Sequence, residues 1–122
     1  MERSKPKVLV VDDDRVLADS LAQILNLHGF VSTALYSGEE AVEFVDGFRP
    51  DIVLSDIRMR KVDGIEAAKR IRELHPECRV ILFTASSVDL AARKKIEGLG
   101  FEFLQRPLHP EGVLKALGRP LR

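Results

Sequence analysis

Residues 7–14 read Lys7-Val8-Leu9-Val10-Val11-Asp12-Asp13-Asp14. Four apolar residues in succession, three of them β-branched, show no polar alternation. Such a run marks a strand buried on both faces, as in a parallel sheet covered by helices. Three carboxylates stand where that strand ends. Neighbouring carboxylates raise one another's pKa by repulsion, so keeping them ionised together requires a compensating charge. A hard divalent cation, Mg²⁺ before others, suits that role because it takes one or two carboxylates and keeps several waters. One acid has a plainer use: Asp14 is placed to cap the following helix. Two acids remain unexplained by capping.

Outward from this stretch, strand and helix signals alternate. Residues 15–28 carry Leu17, Leu21, Ile24 and Leu25 at helical spacing, with Gly29 as a stop. A short strand is expected over 30–35, and Ser37-Gly38-Glu39-Glu40 has capping-box spacing for a helix through about Val45, ended by Gly47. Arg49-Pro50 is a turn, and 51–55 is a strand with Asp56 at its exit. Asp63-Gly64 precedes a helix to Leu74 whose inner face is Ala67, Ala68, Ile71 and Leu74, stopped by His75-Pro76. A strand over 79–83 ends in Thr84, and Ser87 or Asp89 starts a helix to about Glu97, closed by Gly98 and Gly100. The fifth strand is 101–105, Arg106-Pro107 breaks it, and Pro110 opens a short last helix ending near Gly118.

The pattern is (βα) five times at about 25 residues per unit, hence α/β with parallel strands and right-handed crossovers. A domain of this size fits the doubly wound, flavodoxin-like strand order 2-1-3-4-5, whose ligands bind beyond the carboxyl ends of the first and third strands. Those strands end in Asp12-Asp13 and Asp56. Adjacent strands lie about 4.8 Å apart, so the three carboxylates can share one cation.

At 122 residues the chain is read as one domain over 1–122. Met1 is taken as a true N-terminus and 118–122 as the start of a linker. Hydrophobic content of 45% and charged content of 31% are ordinary for a globular protein. Nineteen basic and 19 acidic residues cancel, so charge offers no argument for nucleic-acid or membrane binding. Cys78 is the single cysteine, which excludes an intramolecular disulfide and a cysteine-based zinc site. The leader over 1–6 is short and polar, and no run approaches membrane-spanning length, so a cytoplasmic location is expected.

Four strand-end signals occur in order: Asp12-Asp13; Asp56 within Val53-Leu54-Ser55-Asp56-Ile57-Arg58-Met59; Thr84 within Phe83-Thr84-Ala85; and Arg106-Pro107, with Phe103 three residues before Arg106. With these residues the chain closely resembles the receiver domain of two-component response regulators over nearly its whole length. Met59 and Asp63-Gly64 fit the loop after the family's phosphoacceptor. The resemblance implies that Asp56 is the phosphoacceptor, attacking a phosphohistidine donor to give an acyl phosphate. It implies Mg²⁺ on Asp12, Asp13 and Asp56, with the main-chain carbonyl of Arg58 as a further ligand. Thr84 would bind a phosphoryl oxygen and, with Phe103, form the switch. The implied partner is a sensor histidine kinase or phosphotransfer protein. A homodimer through the fourth-helix, fifth-strand and fifth-helix face is a further expectation, without direct nucleic-acid binding or membrane association. The domain would be no enzyme beyond catalysing its own phosphorylation and dephosphorylation.

The departure is Arg106, where the family has lysine. Arginine keeps the charge but is longer, planar and forked. Either Arg106 still reaches the phosphoryl group, the favoured reading, or the domain is an unphosphorylated interaction module. A further reading takes Asp12-Asp13-Asp14-Arg15-Val16 as the motif of haloacid-dehalogenase-like phosphatases, with Asp12 as nucleophile and Asp14 as general acid. It ranks lowest, because no acid stands at a strand exit after Thr84. His28, His75 and His109 read as solvated or capping, Cys78 as a small partly buried hydrophobe, and Arg93-Lys94-Lys95 as a solvated helix face.

Overall fold

The computed structural model describes residues 5–59, 63–84, 90–104 and 109–118. Strands and helices alternate as β1 (Lys7–Val11), α1 (Arg15–Leu27), β2 (Val31–Leu35), α2 (Gly38–Phe48), β3 (Ile52–Asp56), α3 (Gly64–Leu74), β4 (Arg79–Phe83), α4 (Leu90–Gly98), β5 (Glu102–Leu104) and α5 (Pro110–Ala116). All pairings in the five-stranded sheet are parallel, in the order β2-β1-β3-β4-β5. This is the expected flavodoxin-like order, with the topological switch between β1 and β3.

The central strands are mostly apolar because each of their faces meets a helical layer. Val8, Val10, Ile52, Leu54, Ile81 and Phe83 face one core with Leu21 and Leu25 of α1 and Val113 and Leu114 of α5. Leu9, Val11, Val53, Val80 and Leu82, one position out of phase, face the other with Ala41 and Val45 of α2, Ala68 and Ile71 of α3 and Ile96 of α4. Register alternation thus sends every second side chain to the opposite core.

Local chemistry places the helix starts. Asp14 caps α1 by accepting from the Leu17 N–H, Ser37 caps α2 by accepting from the Glu40 N–H, and Asp63 caps α3 by accepting from the Glu66 N–H. The Glu40 carboxylate returns a bond to Tyr36 N–H at 3.2 Å, so the capping box forms one residue displaced from its usual reciprocal donor.

Three expectations shift. Gly47 does not end α2; the helix continues to Phe48 and closes at Arg49, a non-glycine residue at φ 53° whose N–H bonds to the Val45 carbonyl. That extra turn lets Phe48 stack on Phe44 with ring centroids 5.2 Å apart. Asp56 belongs to β3 itself, paired with Phe83, and does not follow the strand. Leu74 is 48% exposed and lies off the buried face of α3, which is Ala67, Ala68 and Ile71. Ser87, Asp89 and Gln105 lie outside the described residues.

Candidate phosphoacceptor and metal site

The carboxyl ends of β1 and β3 carry the acids to one point. Val11 pairs with Ser55 in register, so Asp12 and Asp56 continue neighbouring strands in the same direction. One ligand oxygen each from Asp12, Asp13 and Asp56 fit within 4.8 Å of one another. Asp12 is 2% exposed and Asp56 8%, while Asp13 is half-buried. The protein has therefore gathered negative charge where water cannot shield it.

That concentration shows in the acidities. Burial, together with repulsion from Asp56, Asp13 and Asp14, pushes the Asp12 carboxyl up to about 7. One bond opposes the shift: the Asp14 N–H donates to Asp12 Oδ1 at 2.9 Å. Burial likewise raises Asp56, against the Arg58 N–H donated to Asp56 Oδ1 at 3.2 Å, with Asp13 adding repulsion. Buried carboxylates with raised pKa values beside one another mark a candidate functional site. Three oxygen donors with no sulfur or nitrogen among them suit a hard cation such as Mg²⁺. Asp14 is not part of this group; its exposed carboxylate is committed to the α1 cap. The general acid of the phosphatase reading is therefore engaged elsewhere.

The remaining expected residues distribute around the acids. Thr84 follows β4 directly and is 4% exposed, and β4 lies beside β3, so its hydroxyl belongs to the same end of the sheet. Phe103 pairs with Leu82 on the edge strand β5, half-buried, and the Arg93 guanidinium of α4 lies 5.5 Å from its ring centroid. Arg93 is thus engaged with an aromatic face and is more than a solvated cation. Arg58 is exposed and places its backbone N–H on Asp56. Arg106 and Pro107 lie outside the described residues.

Two features escaped the reading of residues by type. Gly64 reads as a turn signal, yet its backbone presses on the site strand: a Cβ there would stand 2.7 Å from Ile57 Cα and nearer still to the Asp56 carbonyl oxygen. The Gly64 N–H donates to the Ile57 carbonyl at 2.7 Å, and the Ile57 N–H to the Phe83 carbonyl at 2.8 Å, tying α3 and β4 to the residue that follows Asp56. The neighbouring Asp63 cap was the available clue. His75 is buried rather than solvated, its Nε2 3.1 Å from Asp46 Oδ1, at the opposite end of the sheet from the acids. Cys78 is fully buried at 3% exposure.

Known proteins share this sequence pattern and this fold. A family model described as the response regulator receiver domain matches residues 8–118. The chain is 32% identical to the chemotaxis protein CheY of Thermotoga maritima over 93% of this chain and 95% of that protein. It is 29% identical to the response regulator MprA of Mycobacterium ulcerans over 95% of this chain, and spans about half (50%) of the length of that relative. Among solved structures, the chemotaxis protein CheY4 of Vibrio cholerae superposes with a TM-score of 0.86 at 26% identity, covering 96% of this chain and 99% of that one. A CheY-like receiver domain from Methanospirillum hungatei shares the fold at a TM-score of 0.88 and 23% identity, over 94% and 92% of the two chains. A match over most of the length, on a sheet whose switch point holds Asp12, Asp13 and Asp56, settles the family: the chain belongs to the response regulator receiver domains, the CheY-like switch modules of two-component signalling.

Proposed function

We propose that Asp56 accepts a phosphoryl group from the phosphohistidine of a sensor histidine kinase or phosphotransfer protein, and that the domain catalyses this transfer and the later hydrolysis on itself. The supporting observation is the trio Asp12, Asp13 and Asp56, within 4.8 Å at the ends of two adjacent strands. An Asp56 oxygen forms a bond to phosphorus as the P–N bond of the donor breaks, its electron pair staying on the imidazole nitrogen. Asp12, Asp13 and Asp56, with the Arg58 carbonyl, are the residues that would hold Mg²⁺. When bound, the ion supplies positive charge to the phosphoryl oxygens. Asp12 and Asp13 hold the cation's side of the site, and the Arg58 N–H orients the acceptor carboxylate.

In the same reading the Thr84 hydroxyl donates to a phosphoryl oxygen, the Phe103 ring responds, and Arg106 supplies a cation to the phosphorylated state. The output face is α4-β5-α5, which would also serve a homodimer, and the whole of 1–122 acts as one receiver unit. The test is intact-mass analysis after exposure to a small phosphodonor with Mg²⁺. One phosphoryl group is expected, absent from Asp56→Ala, and Asp13→Asn should weaken Mg²⁺ binding. A label retained by Asp56→Ala would overturn the assignment. Chemical shifts at Thr84 and Phe103 that ignore beryllofluoride would overturn the switch.

A further inference from the structure

Beside the acids, between the starts of α1 and α2, lies a hollow of about 230 Å³ lined by Asp13, Arg15, Tyr36, Ser37 and Met59, among others. Asp13 belongs both to the wall of this hollow and to the acidic trio, so the hollow borders the acids. Arg15 is exposed and follows three aspartates, yet among the described residues it makes no ion pair with a carboxylate. Its guanidinium instead lies over the Tyr36 ring, 4.3 Å from the centroid. Tyr36 is itself held from both ends: its hydroxyl donates to Asp19 Oδ1 at 2.5 Å and its backbone N–H to Glu40 Oε1 at 3.2 Å. The ring is a fixed platform, and the platform parks a cation at the rim of a hollow that shares Asp13 with the acidic trio.

Resting on the reading of Asp56 as acceptor, we infer that Arg15 is a donor-specificity residue, receiving the carboxylate that departs from an acyl phosphate. The chemistry distinguishes donors sharply. With an acyl phosphate, the Asp56 oxygen bonds to phosphorus and the P–O bond to the acyl group breaks. The electron pair leaves on a carboxylate, which needs no proton at neutral pH. A planar guanidinium matches that leaving group with two parallel N–H donors. With phosphoramidate the P–N bond breaks and ammonia departs after taking a proton, so no anion forms for Arg15 to hold. Arg15 therefore stabilises one transition state and is indifferent to the other. Tyr36 is a positioning residue, acting through Arg15.

The experiment compares initial rates of Asp56 phosphorylation from acetyl phosphate and from phosphoramidate, by intact mass, for wild type, Arg15→Ala, Arg15→Lys and Tyr36→Phe. Beryllofluoride affinity is measured alongside. Arg15→Ala should lose about tenfold in kcat/KM with acetyl phosphate, the size of one exposed charge-assisted hydrogen bond, and less than about twofold with phosphoramidate. Arg15→Lys should recover part of the loss. Tyr36→Phe, which frees the ring from Asp19, should move acetyl phosphate in the same direction by a smaller factor. Beryllofluoride affinity should stay unchanged throughout, since this phosphoryl mimic carries no acyl leaving group for Arg15 to hold. Equal losses with both donors would make Arg15 a general electrostatic or structural residue and overturn the inference, as would no loss with either. Wild-type protein that takes label from neither donor would remove the acceptor reading, and this inference with it. Wild-type label from phosphoramidate with an unchanged donor ratio in Arg15→Ala overturns the inference while leaving the acceptor reading intact.

Discussion

Replacing Asp12 by asparagine should stabilise the metal-free protein and weaken the metal-bound one. Asp12 is 2% exposed, and its carboxyl is pushed from 3.8 up to about 7, mainly by burial. In the unfolded chain it titrates as an ordinary acid. Between about pH 4 and about pH 7 the folded state holds a proton that the unfolded state has lost, so metal-free stability falls as pH rises through that window. Asp56, raised by the same cause, acts with the same sign. Above the window the Asp12 shift is fully expressed, on the order of 4 kcal/mol at about 1.4 kcal/mol per tenfold change in acidity. Asparagine keeps the acceptor that the Asp14 N–H uses at 2.9 Å, but it also brings an amide N–H₂ into a buried place. Housing that group costs about 1–2 kcal/mol. The expected net gain is therefore about 2–3 kcal/mol at about pH 8 in EDTA, vanishing or reversing near pH 4. Urea unfolding followed by circular dichroism at both pH values measures it. Excess Mg²⁺ should reverse the order at about pH 8, because an ion that binds the folded state stabilises it in proportion to its affinity. If Asp12→Asn gave the same stability change at about pH 8 as at about pH 4 in EDTA, the idea that burial opposes this charge would fail.

Two further outcomes follow from close packing. Gly64→Ala should destabilise by about 2–3 kcal/mol, lowering the melting temperature by roughly 10 °C, because the new methyl group meets backbone at Asp56 and Ile57. A melting temperature within about 2 °C of wild type would mean that the start of α3 slides freely behind Asp56. Cys78, buried and with its thiol pushed up to about 11, should react with an aromatic disulfide reagent at least about 100-fold more slowly in the folded protein than in urea. Rapid labelling under native conditions would contradict its placement in the core.

Much of the fold was legible because its signals are local. A run such as Val8-Leu9-Val10-Val11 needs apolar contact on both sides, which only a covered parallel sheet offers. Asp14 and Ser37 could be assigned as caps from spacing, since a cap satisfies N–H groups two or three residues away, whereas the Asp63 cap was read only as a turn. The end of α2 was misread for the converse reason. Gly47 looks like a stop, but Phe48 beyond it packs against the core that α2 shares with α3, and that tertiary packing outweighs a glycine's modest helix penalty.

The amino-acid sequence by itself determined which acids the fold brings together. Acids at the ends of the first and third strands converge in any doubly wound sheet of this order, whatever the details of packing. Only the tertiary structure decided how much that convergence strains the charges. Asp12 is 2% exposed and Asp56 8%, and chain order does not encode that exposure. It also decided which bystanders matter. Gly64 meets Asp56 only because α3 returns against β3, and Arg15 lies on Tyr36 only because the exits of β1 and β2 are neighbours in the sheet. Contacts between residues distant in the chain arise from the folded arrangement, and no short-range pattern carries them.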